Sequence, residues 1–195
     1  MLGLSLGLSL GRSLVIAAGL AACVSALTVS AQGAAAATVC HAQGGQYADT
    51  RTCVTSVLPS QGRNNYGPQQ ITGSEEGAWC EGVAGPGVGE AVTIYQDPPM
   101  VIGSLTFKNG YAKSDQTFRA NGRIKRARID TSGGYSKEIT LQDSALGELI
   151  KLPPSRIAWV KLTILQVYPG SRHSDTCISQ FYFNHDEFGG IEEPN

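Results

Sequence analysis

The chain has 195 residues, the length of a single domain with at most an appendage. Its 24 glycines in 195 residues exceed the average usage of about 7%, while charged residues make up 16% and aromatics 7%. This composition excludes a disordered chain and a helical bundle, and a formal charge of −1 leaves no overall basic footprint for nucleic acid.

Residues 1–37 read as an export signal. Arg12 is the only charge before Asp49, the run Ser13 to Val29 is apolar and small, and the cleavage-type triplets Val29-Ser30-Ala31 and Ala35-Ala36-Ala37 follow. A permanent membrane anchor needs about 20 strongly apolar residues and flanking charge. The run is Ala-, Gly- and Ser-rich and has no charge on its C-terminal side, so no permanent transmembrane span is expected. Leu20-Ala21-Ala22-Cys23 resembles a lipoprotein box, but the residues after Cys23 stay apolar where such linkers are polar. A cleaved signal is therefore favoured, with lipid attachment at Cys23 as the alternative. Either route places the domain outside the cytoplasm.

Four cysteines remain after the signal: Cys40, Cys53, Cys80 and Cys177. An even number in an exported chain implies two bridges, with three pairings open. Cys40 with Cys53 and Cys80 with Cys177 is the favoured set. The first would pin an N-terminal flap, residues 38–52, outside the core. Zinc would have to use His41 or His173 beside these cysteines, and the CxxC pairs typical of zinc sites are missing.

From Ala91 onward short β-like segments alternate with turn signals. Ala91 to Tyr95 is followed by Asp97-Pro98-Pro99, and Val101 to Phe107 by Asn109-Gly110. Ile124 to Asp130 precedes Ser132-Gly133-Gly134. Glu138 to Leu141 and Glu148 to Leu152 end at Pro153-Pro154. Ile157 to Tyr168 ends at Pro169-Gly170, and Ile178 to Phe183 closes the set. Val160, Leu162 and Ile164 alternate onto one face, while Trp159, Leu165 and Val167 imply partial cover on the other. Ile124, Ala127 and Ile129 can share an inward face only if a bulge lies near Lys125-Arg126. A short helix is expected only at Ser144 to Leu149. The tail, residues 184–195, is acidic and expected to fray.

Several phrases together carry a family resemblance: Leu58-Pro59 with Asn65-Tyr66-Gly67-Pro68, Ala78-Trp79-Cys80-Glu81-Gly82, Asn109-Gly110-Tyr111-Ala112-Lys113, Asn121-Gly122-Arg123-Ile124-Lys125, Val167-Tyr168-Pro169-Gly170 and Thr176-Cys177-Ile178-Ser179. In this order the chain resembles the discoidin, or coagulation-factor type C, domain over residues 53–183. The branch it is most similar to is the glycan-binding type named after the translocation domain of NAD-glycohydrolase. The resemblance implies an all-β, antiparallel jelly-roll β-sandwich of the galactose-binding-like class, with about eight strands. It also implies a non-catalytic module that binds glycan or cell-surface carbohydrate. A protein-docking or adhesion module for an envelope partner is the second reading, since sandwiches host many functions.

In such domains an Asp-Gly-Asp turn and a late Glu commonly hold structural calcium. Here the turn reads Thr72-Gly73-Ser74-Glu75-Glu76-Gly77 and Gln180 stands at the Glu position. Two ligands of a hard cation are thus altered. No cofactor is expected, with Glu75 and Glu76 as the only route to a retained calcium. The resemblance sets the segments of Cys80 and Cys177 side by side, which implies a covalent clamp in place of the ion.

Sugar sites combine an aromatic platform with amides and charges for the hydroxyls. The residues expected to supply them from the end loops are Glu81, Asn109, Tyr111, Lys113, Asn121, Arg123 and Tyr168. Each has a structural counterpart: Asn109-Gly110 suits a tight turn, the tyrosines can cap the core, and Glu81 can pair with a cation. Trp79 is assigned to the core. Residues 108–161 hold 11 Lys/Arg against 5 Asp/Glu, and Lys125, Arg126 and Arg128 read as a solvated face rather than a polyanion site. His173-Ser174-Asp175 cannot form a relay from adjacent positions. The sequence has no G-x-S-x-G, Walker, Rossmann or HExxH pattern, so an enzyme is not expected.

Overall fold

The structure is a computed structural model and describes residues 38–71 and 76–185. The export signal (1–37), the turn at 72–75 and the tail from 186 lie outside the described residues.

Among the described residues, eight strands and one short α-helix follow in chain order. They are β1 (Val39–Gln43), β2 (Asp49–Val54), β3 (Trp79–Cys80), β4 (Ala91–Asn109), α1 (Asp115–Ala120), β5 (Arg123–Thr131), β6 (Ser136–Thr140), β7 (Gly147–Tyr168) and β8 (Cys177–Phe183). All pairings are antiparallel, in the order β1-β2-β4-β7-β5-β6, with β8 joined to β3 and β4.

The two long strands make the sandwich. The first half of β4 lies between β2 and the second half of β7, pairing Thr93 with Cys53 and Lys161. Its second half lies between β8 and the first half of β7, pairing Leu105 with Phe183 and Ile150. Both strands therefore serve both layers and turn the corner between them. Register shifts at Tyr95/Met100 and Ile102/Ser104 mark that corner.

Asp97-Pro98-Pro99 and Pro153-Pro154, expected to separate strands, lie inside β4 and β7 instead. Proline lacks a ladder N–H. Both pairs occupy the stretches where β4–β7 pairing is interrupted, and all four rings are exposed. The prolines thus bend continuous strands rather than end them.

The inward set on β5 is as expected. Ile124, Ala127 and Ile129 are fully buried, and the β5–β7 register shifts on either side of Arg126. Val160, Leu162 and Ile164 are fully buried from β7, with Trp159, Leu165 and Val167 half-covered behind them. Trp79, Phe107 and Phe181 complete the core, the last two packed edge-to-face.

Three expectations change. Residues 38–52 are not wholly an outlying flap: β1 is exposed throughout, but β2 pairs with β4 and buries Thr52, Cys53 and Val54. The segment Ser144 to Leu149 is no helix, because β7 begins at Gly147. The helix is α1, nucleated by a reciprocal cap. Ser114 Oγ accepts from Thr117 N, and Thr117 Oγ1 accepts from Ser114 N at 3.0 Å.

Candidate functional site

One end of the sandwich is gathered by two loops, a short helix and a bridge. Cys80 and Cys177, 97 residues apart in sequence, are joined between β3 and β8. The second bridge, Cys40–Cys53, spans the β1–β2 pair. Both are the pairings favoured from the sequence. Cys80 and Cys177 are fully buried and pack with Tyr66, Ala78 and Tyr111 in a small cluster of their own.

The first loop closes with a two-way backbone bridge between Gln61 and Asn64 (3.1 and 3.0 Å), with Gly62 at φ +61° inside it. The second element is α1. The third is the loop at 170–175, which the helix end holds in place. Ser171 N donates to Arg119 O, and Arg172 and His173 N both donate to Ala120 O. These bonds satisfy helix carbonyls that have no intrahelical partner. A side chain at Gly170 would lie 2.5 Å from Ala120 O, so the approach admits only glycine.

Together these pieces enclose a cleft of about 340 Å³. Tyr66 and Tyr111 meet edge-to-face in its wall, centroids 6.2 Å apart at 87°. Gln61, Asn64 and Gln116 line it with amides that make no hydrogen bond within the protein among the described residues. Asn121 also lines it; its Nδ2 donates to Thr117 O at 2.8 Å. Arg172, His173 and Asp175 form the far rim. Burial, with Tyr66 and Glu76 nearby, pushes the Tyr111 hydroxyl above its ordinary value, so it stays a protonated donor at neutral pH.

The seven residues expected from the sequence do not converge. Tyr111 and Asn121 line the cleft, and Lys113 lines a neighbouring notch. The other four are spent inside the fold. Asn109 is 1% exposed; its Nδ2 donates to Ile124 O and Gln142 O, and its Oδ1 accepts from Ile124 N. It ties β4 to β5 instead of closing a hairpin. Arg123 forks onto Asp143 with two 2.9 Å bonds and donates to the carbonyls of Asn121 and Pro169. Its guanidinium also lies over Phe118, 5.4 Å from the centroid.

Tyr168 is half-buried and donates to Leu141 O at 3.2 Å, with Lys125 over its ring. Glu81 is fully buried and accepts from Thr176 N and Val83 N at 3.0 and 2.9 Å. Burial raises its pKa, while the two backbone donors oppose that rise. Its carboxylate organises the turn below Asp175 and does not face the cleft.

Sequence reasoning missed Tyr66, Gln61, Asn64, Gln116, Arg172 and His173. The polar run Gln61-Gly62-Arg63-Asn64-Asn65 beside Tyr66 was the available signal. The basic strand behaves as a solvated face, since Arg126 and Arg128 are exposed and pair with Glu138 and Asp130. Among the described residues no three His, Cys, Asp or Glu side chains gather around a metal position. Of the turn weighed for calcium, residues 72–75 fall outside the described residues and Glu76 lies 3.8 Å from Lys113. Among those residues no helix is long and apolar enough to cross a membrane.

No curated protein matches the chain in sequence. Solved structures match it in fold. A family 32 carbohydrate-binding module from Clostridium perfringens NanJ, in complex with galactose, is 16% identical with a TM-score of 0.52. The match covers 69% of this chain and 92% of that one. A second C. perfringens module of family 32, in complex with GalNAc-β-1,3-galactose, is 17% identical with a TM-score of 0.52, over 69% of this chain and 94% of that one. The arabinofuranosyltransferase AftD from Mycobacteria matches at 17% identity and a TM-score of 0.51, over 69% of this chain and 10% of that one. The sandwich is therefore the discoidin-like architecture of these modules. The profile of the NAD glycohydrolase translocation F5/8 type C domain matches residues 43–184, and the chain belongs to that family.

Proposed function

We propose that this protein is an exported, non-catalytic module that binds carbohydrate in the cleft between Tyr66, Tyr111 and the 170–175 loop. The observation that carries the reading is the set of uncommitted amides beside two tyrosine rings. Gln61, Asn64 and Gln116 face a cleft and bond to nothing within the protein among the described residues. A sugar hydroxyl both donates and accepts, and so does an amide side chain. The rings of Tyr66 and Tyr111, which line the cleft, supply apolar surface of the kind that sugar C–H groups pack on. The cleft volume lies within the range of small-ligand sites, on the order of 300–1,000 Å³.

Export is supported by the N-terminal signal pattern and by two disulfides, which persist in oxidising compartments. The carbohydrate-binding modules of the same fold add weight to a binding rather than a catalytic role.

The test is a titration of the folded, oxidised protein with galactose, N-acetylgalactosamine and lactose, followed by amide NMR. Shifts confined to residues 61–66, 111–121 and 170–175 are expected at millimolar concentrations. Tyr111→Ala should remove them while circular dichroism stays unchanged. Binding that persists in Tyr111→Ala, or that maps to the opposite end, refutes the site.

A further inference from the structure

Beside the cleft lies a second depression of about 240 Å³, separated only by Asn64 and Tyr111, which line both. Its chemistry differs from that of the first. Apart from the Tyr111 ring, the side chains around it are polar or charged: Arg63, Asn64, Asn65, Gln70, Glu76 and Lys113. Glu76 lies 3.8 Å from Lys113 and offsets its charge. Arg63 has no such partner: among the described residues no carboxylate comes within ion-pair distance of it. It is exposed on the closed Gln61–Asn64 turn, whose end residues Gln61 and Asn64 line the cleft. Asn65 stiffens the same segment, its Oδ1 accepting from Gly67 N at 2.8 Å.

We infer that the notch is a second subsite for an anionic substituent, a carboxylate or sulfate, on the glycan whose neutral portion occupies the Tyr66–Tyr111 cleft. This rests on the carbohydrate reading above and specifies the glycan class. A guanidinium fork matches the paired oxygens of either group. The shared wall lets one short oligosaccharide span both depressions. The neutral unit takes the tyrosine-lined cleft, and the acidic unit takes the cation next door.

The experiment titrates the oxidised protein with lactose, 3′-sialyllactose and 3′-sulfated lactose at low and at high salt. The two acidic probes distinguish a carboxylate from a sulfate source. At least one acidic probe is expected to bind roughly fivefold more tightly than lactose at low salt, with the advantage shrinking as salt screens an exposed contact. Arg63→Ala should bring the acidic probe down to the lactose level and leave lactose affinity unchanged. Arg63→Lys should retain part of the preference. Equal affinity for lactose and both acidic probes overturns the acidic subsite while leaving carbohydrate binding intact. An acidic preference that survives Arg63→Ala overturns it equally. Failure of every probe to bind folded protein refutes the carbohydrate reading itself, and the subsite with it.

Discussion

Replacing Cys80 and Cys177 together by alanine measures what holds the two ends of the domain at one site. The bridge spans a sequence separation of 97, and a loop of that length corresponds to about 4.7 kcal/mol on the chain-entropy account. The same account gives about 3 kcal/mol for Cys40–Cys53, whose separation is 13. The local surroundings widen the gap. β1 is exposed along its whole length, so freeing it uncovers little. Cys80 and Cys177 are fully buried and pack with Tyr66 and Tyr111, so releasing them loosens the cleft wall as well.

Against a total stability of about 5–15 kcal/mol for a typical domain, the first loss threatens folding and the second does not. Urea unfolding of both double variants, with the slope checked for constancy, reads the difference as a shift in midpoint. The Cys80→Ala/Cys177→Ala protein should lose more stability than Cys40→Ala/Cys53→Ala, or fail to fold where the other folds. An equal or smaller loss would refute the idea that this bridge staples the site.

Asn109→Ala strands the buried N–H and C=O of Ile124, so a loss of about 2–4 kcal/mol is expected by thermal melting; a change under about 1 kcal/mol would contradict the tie between β4 and β5. Arg123→Ala removes the fork to Asp143 and two carbonyl contacts, costing about 3 kcal/mol, at the low end for a buried pair because Asp143 keeps access to water. The surviving fold should still bind sugar; selective loss of binding at full stability would assign Arg123 to the ligand instead. Burial raises the Glu81 pKa above its usual 4.5, so its contribution is fully present below pH 4.5 and is lost as pH rises through the folded value. Relative to Glu81→Gln, the wild-type protein should therefore lose urea resistance as pH rises above 4.5. A constant difference between the two across that range would show that the buried carboxylate does not titrate with folding.

Alternation within strands was open to reading because it is a local property. The inward residues of β5 and β7, and even the bulge near Arg126, follow from period-two spacing. Proline misled because its local effect, removing one donor, is the same at a turn and at a bend inside a strand. Which applies depends on the partner strand. Ser144 to Leu149 has helix-compatible composition, but β4 recruits its last residues as pairing partners. The short helix formed instead at Asp115–Ala120, where the Ser114–Thr117 cap outweighed a weak apolar pattern.

The sequence alone determined the strand-rich class, the even cysteine count and the phrases that mark the family, since each depends on residue type and spacing. Tertiary structure decided which polar groups face water. Asn109 and Arg123 look like ligand contacts in a chain of letters, yet both are consumed by carbonyls, amides and a carboxylate brought from strands and loops 15 to 46 residues away. Gln61, Asn64 and Gln116 look ordinary, yet among the described residues their side-chain amides bond to no protein group and line the cleft beside two tyrosines. A side chain's availability depends on what packs against it in three dimensions, and spacing along the chain does not contain that information.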